Sequence, residues 1–159
     1  MCDYSLMSLP NRLAAEGEEL VVHRFPTGSI GFTSVADLDR DTATRQARSF
    51  WQRLKDNLAY SERCGVPAVC IPPAARLLLR NIDADMREKH RLSAEEEVRF
   101  VQLSADPHTY RDALCFRNGA VLRLQQLPVG LRAIVLDLTG ESGEEQPFEV
   151  IDVLTGSFR

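Results

Sequence analysis

The clearest period-two alternation of apolar and polar positions lies between residues 112 and 138. Leu114-Cys115-Phe116 and Val121-Leu122 flank Asn118-Gly119, and Asn-Gly favours the type I′ turn of a tight hairpin. A second turn at Pro128-Val129-Gly130 leads into residues 131–138, where Ile134, Leu136 and Leu138 alternate with Ala133, Val135 and Asp137. This pattern predicts a three-strand meander. Upstream, residues 19–25 read as a first strand, followed by turn residues 26–31 in which Gly28 and Gly31 are free to take positive φ. Residues 68–71 and 76–82 predict two short strands, because the adjacent Pro72 and Pro73 cannot donate to a ladder. A last strand is predicted at residues 148–154, after an acidic loop at 140–147.

One stretch has the helical period instead. Between residues 41 and 60, Ala43, Ala47, Phe50, Trp51, Leu54 and Leu58 fall on one face, with Arg45, Arg48, Gln52 and Lys55 mostly on others. Residues 83–97 are the most polar part of the chain, and Ser93 and Glu96 have capping-box spacing, which predicts a short helix starting there. The whole reads as a mainly β fold: a small barrel or sandwich of short antiparallel strands with one packed amphipathic α-helix, in a single globular domain spanning residues 1–159. Its predicted core is Val21, Ile71, Leu77, Leu79, Leu114, Phe116, Leu122, Ile134, Leu136 and Val150, closed by Phe50, Trp51 and Leu54 of the helix.

Composition narrows the function classes. At 159 residues, the chain is long enough to bury a substantial core without disulfides or metals. With 19 basic and 23 acidic residues the formal charge is −4, and the arginines are scattered, so neither nucleic acid nor an anionic membrane is an expected partner. The early Asp3 and the lack of an apolar run near the start argue against a secretory signal. The cytoplasm is therefore the expected location. There Cys2, Cys64, Cys70 and Cys115 are expected to be free thiols or ligands and not a disulfide framework.

Several residues carry candidate chemistry. Removal of Met1 would make Cys2 an N-terminal nucleophile with its own α-amine as base, an arrangement suited to amide or imine chemistry. A metal site is the second candidate, assembled over long range from Cys2, Cys70 and His108 and taking zinc or another transition metal. No Cys-x-x-Cys or His-x-x-x-His pair supplies a local one. The alternative for Cys115 is a small buried apolar residue on a hairpin face with Ala113, Leu122 and Leu124. His108, Tyr110, Arg111 and Asp112 form a polar cluster just before a strand, the kind of place where binding loops sit and also where turns are capped. His23 and His90 read as ordinary structural or solvated histidines. Phosphate loops, dinucleotide fingerprints, Gly-x-Ser-x-Gly elbows and His-Glu-x-x-His helices are absent from the sequence.

The opening Met1-Cys2-Asp3-Tyr4-Ser5-Leu6, the segment Val69-Cys70-Ile71-Pro72-Pro73, and Tyr110-Arg111-Asp112-Ala113-Leu114 together resemble a family of small, functionally uncharacterised bacterial proteins that begin MCDYSL. The resemblance covers most of the chain and implies a bacterial, cytoplasmic protein, with no reaction or ligand attached. In similar sequences a second histidine would be expected near Tyr110 or Arg111. This chain departs there, which weakens a histidine-based metal site. Two functions stand: a binding or regulatory module recognising a small ligand or a protein through loops at one end of a barrel, or a thiol-dependent enzyme or metal site using Cys2.

Overall fold

A computed structural model of the protein describes residues 6, 9–47, 65–104, 106 and 109–139. Its strands are β1 (Asn11–Leu13), β2 (Glu19–Arg24), β3 (Ile30–Ser34), β4 (Ala68–Cys70), β5 (Arg76–Arg80), β6 (Glu96–Gln102), β7 (Asp112–Phe116), β8 (Val121–Arg123) and β9 (Arg132–Asp137). Two helices, α1 (Val35–Ala47) and α2 (Ala84–His90), and a 3₁₀ turn at Leu124–Gln126 complete the described elements. Seven strands in the order β3-β2-β9-β5-β6-β7-β8 form one antiparallel sheet that curls into a half-barrel. β1 and β4 make a separate parallel pair. The mainly β expectation holds.

Alternation places one face of the sheet inside the curl. Leu20 and Val22 of β2, Phe32 of β3, Leu77 and Leu79 of β5, Val98 and Phe100 of β6, and Leu114 and Phe116 of β7 are almost completely buried in one cluster. Burying each such side chain stabilises the fold by roughly 1.5–3 kcal/mol. Val69 and Ile71, from β4 and its end, join the same cluster. Ala68 and Cys70 instead meet Leu6, Leu9 and Phe25 in a second, smaller one. Gly31 serves that second cluster by close approach and not by positive φ, since a Cβ there would lie 2.6 Å from Leu6 Cδ1. Gly28, at φ 86°, does supply the left-handed residue of the β2–β3 turn.

β9 corrects the predicted meander. The 3₁₀ turn and the turn before Leu131 carry the chain away from β8, and β9 enters the sheet between β2 and β5. Its buried face is also the opposite of the predicted one. Ala133 and Val135 are fully buried, Ile134 is only partly so, and Leu136 is 39% exposed. The pairing sets this phase: Ala133 stands opposite both Leu20 and Leu79, which are fully buried on the inner face. Leu136 is the extra residue of a bulge, because Arg76 pairs with Asp137 while Leu77 pairs with Val135.

Three further expectations change. Ser93 and Glu96 do interact, with Ser93 N–H donating to Glu96 Oε1 at 2.7 Å, yet Glu96 begins strand β6 and not a helix. The alternation of Val98 and Phe100 with Glu97 and Arg99 decides in favour of the strand. The helix in this region is α2, capped at its start by the Asp83 carboxylate on Met86 N–H (2.7 Å) and closed by Arg91 in the left-handed region. In the hairpin only Gly119 has positive φ, so its three-residue loop is of the type in which glycine forms a bulge, and not type I′. Asn118 there accepts from Ala120 N–H and donates to the carbonyl of His90, pinning the loop to the end of α2. The predicted helix at 41–60 starts earlier, at Val35, and is described only to Ala47. Phe50, Trp51, Leu54, Val150 and the strand at 148–154 lie outside the described residues.

The two edges of the curled sheet are bridged by one side chain. Ile30 N–H donates to Gln125 Oε1 (3.2 Å), and Gln125 Nε2 donates to the Ile30 carbonyl (2.9 Å). The carboxamide thus exchanges with the β3 edge the two bonds that a neighbouring strand residue would make. Gln125→Ala is expected to lower stability by about 1–3 kcal/mol, read as a lower urea midpoint at an unchanged slope. Gln125→Glu, which keeps the acceptor and sets an anion against the Ile30 carbonyl, should cost at least as much.

Candidate functional site

The antiparallel register brings the ends of β3, β6 and β9 to the same end of the half-barrel as the starts of β2, β5 and β7. Arg111, Asp112 and Asp137, the charged residues buried among those described, all lie at this end, and buried Ser34 lies there as well. Asp112 and Ser34 share the alternation phase of the inward residues Leu114 and Phe32, whereas Asp137, beyond the bulge at Leu136, stands opposite Arg76. Burying charge costs free energy unless hydrogen bonds replace water. Here Gln102 Nε2 donates to Asp112 Oδ1 (3.0 Å), and Asp137 Oδ1 accepts from both Thr139 N–H and Thr139 Oγ1 at 2.8 Å. Leu103 N–H donates to the Arg111 carbonyl (2.8 Å), which extends the β6–β7 pairing by one step and sets half-exposed Tyr110 and Leu103 on the rim.

An arginine-centred network braces the same end. Arg12 of β1 donates through Nη1 to Glu18 (3.1 Å) and through Nε and Nη2 to Asp37 Oδ2 (3.1 and 2.8 Å), with a further short contact from Nη2 to Glu18. Arg40 adds a bond to Asp37 at 2.7 Å. Asp37 sits in the first turn of α1, where the helix dipole also favours a negative charge. The Arg12 hydrogen bonds hold the Glu18 carboxyl below its ordinary value against the opposing effect of burial, and the same bonds raise the Arg12 guanidinium. Both carboxylates are saturated by arginine, so this cluster fastens β1, the β1–β2 connection and α1 to one another. On the outer face, burial would raise the Glu97 carboxyl, but Arg76 and Arg117 outweigh it and lower it.

The predicted site residues divide. Tyr110, Arg111 and Asp112 are contiguous at the charged end, with Tyr110 exposed and the other two buried. Cys2 and His108 lie outside the described residues. Cys70 is disulfide-bonded, which corrects the expectation of free thiols; in that state its sulfur is not the thiolate a metal needs. Among the described residues, no group of three or more His, Cys, Asp or Glu side chains could hold a metal ion. Cys115 is a free, buried thiol, as expected, but it shares the outer face with Ala113 and not the inner face with Leu122 and Leu124. Burial raises its thiol against a smaller opposing effect of Arg99, so it is poorly nucleophilic. His23 is half-buried, edge-on to Phe25 with ring centroids 5.0 Å apart. Asp137 was not foreseen, although a single carboxylate in the apolar run 133–138 was a readable signal.

No protein-family model, curated protein or solved structure matches this chain. Among the described residues, no helix is long and apolar enough to cross a membrane.

Removing the charge on Glu18 tests the brace. Because its folded-state pKa is lowered, its contribution to stability is present above the unfolded value of about 4.3 and is lost as pH falls through the lower folded value. Glu18→Gln should cost about 1 kcal/mol at neutral pH, a modest figure because Arg12 is partly solvated. The difference from the parent should shrink in urea unfolding below pH 4. A pH-independent difference would assign the effect to packing.

Proposed function

We propose that the protein is a small bacterial, cytoplasmic binding or regulatory module that recognises a small ligand or a protein partner at the charged end of its half-barrel. The observation that carries this is that Arg111, Asp112 and Asp137 are buried at one end of a sheet whose main core cluster is apolar. Barrel mouths are frequent ligand sites, where a few fixed polar groups orient a ligand against apolar walls. Tyr110 and Leu103 beside Arg111 would supply the apolar contact, and Asp112 and Arg111 the polar one.

A cytoplasmic location carries its own consequence, because that compartment keeps most thiols reduced. Cys70 would then be a thiol for most of the protein's lifetime, and the module must stand without its disulfide. The half-barrel itself is compatible with this, since Cys70 belongs to the small outer cluster and not to the main core.

A thermal-shift screen of amino acids, organic acids, sugars and nucleotides tests the reading. Ligands that raise the melting temperature of the parent should lose the effect in Tyr110→Ala and keep it in Leu13→Ser, a change at an exposed position of β1. Stabilisation that ignores Tyr110 would place binding elsewhere. Turnover of a stabilising compound would replace the non-catalytic reading with an enzymatic one.

A further inference from the structure

The tip of the β7–β8 hairpin combines a chemically reactive dipeptide with a structural contact. Asn118 is exposed and is followed by Gly119 at φ 84°, a residue with no side chain to shield the neighbouring carboxamide. Asparagine is among the thermolabile residues, and before glycine it can be attacked by its own chain. The Gly119 nitrogen gives up its proton and bonds to Asn118 Cγ, the Cγ–Nδ2 bond breaks, and ammonia leaves with that proton. Water then opens the resulting five-membered imide at either of its carbonyls, leaving aspartate or isoaspartate. The sum is amide plus water to acid plus ammonia, with no oxidant or reductant.

In the folded protein each group in that reaction is held. Asn118 Nδ2 donates to the carbonyls of His90 (2.9 Å) and Arg91 (3.3 Å), and Oδ1 accepts from Ala120 N–H (3.0 Å). The attacking nitrogen is engaged as well, since Gly119 N–H donates to the Phe116 carbonyl (3.0 Å). Nδ2 must therefore let go of the end of α2 before it can leave as ammonia, and Gly119 must let go of Phe116 before its nitrogen can lose a proton.

The contact that restrains the reaction is also the one the reaction would destroy. The carbonyls of His90 and Arg91 lie at the C-terminal end of α2, where the last carbonyls lack helical partners and the helix dipole is negative. An amide donor suits that place. Deamidation replaces the donor with an anion that can only accept, set against two carbonyl oxygens. Isoaspartate also lengthens the backbone within a loop closed by the bond from Phe116 N–H to the Ala120 carbonyl (2.8 Å). β8 is an edge strand paired only with β7, so its order depends on that loop.

We propose that Asn118 is a site of spontaneous deamidation whose rate is gated by docking of the hairpin tip on α2, and that conversion releases the tip from the helix. The change is one-way, and it accumulates with the time the tip spends undocked.

Peptide mass spectrometry of the full chain, aged at mildly alkaline pH, reads the conversion directly. Asn118 should deamidate roughly ten-fold or more slowly in buffer than in the same chain unfolded in urea, the protection expected where reaction requires local opening. Equal rates would overturn the gate. Asp83→Ala removes the N-cap of α2 and leaves Asn118 and Gly119 untouched. Conversion should be several-fold faster in that variant while its circular dichroism stays that of the parent, and an unchanged rate would sink the role of α2. Where Asp83→Ala does not fold, the comparison of folded with unfolded parent decides the gate. Release is read in Asn118→Asp by hydrogen exchange, which should be several-fold faster over residues 84–92 than in the parent and unaltered in β5. Unchanged exchange over residues 84–92 would show that conversion leaves the tip docked, against the proposal.

Discussion

The hydrogen bonds that β9 makes along both of its edges are the constraint on which the half-barrel depends. The chain builds a hairpin from β2 and β3 and, later, an antiparallel run from β5 to β8; in the sheet these two pieces meet only through β9. One of the contacts joining them, Arg132 to Glu19, spans 113 residues of sequence. The ordering entropy of the long intervening chain must be met before that strand can pair, which is the usual cost of non-local β topology. The choice of residues follows. Ala133 stands opposite Leu20 on one side and Leu79 on the other, and beyond the bulge at Leu136 the strand ends with Asp137 opposite Arg76.

Closure is completed without an eighth strand. Edge strands invite pairing with other chains, and proteins commonly cover them. Here Leu124, Leu127 and Leu131 lie in the core, and Gln125 between them turns its carboxamide to the β3 edge. The path from β8 to β9 therefore does three things at once: it fills the open side of the curl, occupies the edge, and delivers β9 to the centre of the sheet.

Much of this architecture was legible in the sequence, and the parts that were not have physical reasons. The mainly β class followed from the alternation around residues 112–138 and from the proline break between β4 and β5. The buried face of β9 was misread because both of its alternating sets are apolar. Hydrophobicity alone favours the larger set, whereas cross-strand partners chose the smaller. Strand β6 was hidden behind Glu95-Glu96-Glu97, a run that looks solvated until Val98 and Phe100 are paired with Leu77 and Leu114. At the candidate site, Tyr110-Arg111-Asp112 stood out as a polar cluster before a strand. The burial of Arg111 and Asp112 did not, because burial depends on what folds over them. Cys70 shows the same limit for redox state, since its pairing is a property of the fold and not of local spacing.

The distribution of charge separates groups paired near the surface from groups that are buried. Glu18, Asp37 and Glu97 each meet an arginine, and each ties together elements distant in sequence: β1 to α1, or β5 to β6 and β7. Those contacts sit at the surface or partly within it, where an ion pair stabilises modestly and mainly fixes geometry. Arg111, Asp112 and Asp137 are different because they are buried, where a charge is costly unless its environment is fully arranged around it. The middle of the half-barrel carries no such charges among the described residues; its layers are leucine, valine and phenylalanine. Stability alone would have been served by continuing those layers to the end. Placing an arginine and two carboxylates there instead costs stability, which the hydrogen bonds from Gln102 to Asp112 and from Thr139 to Asp137 offset in part.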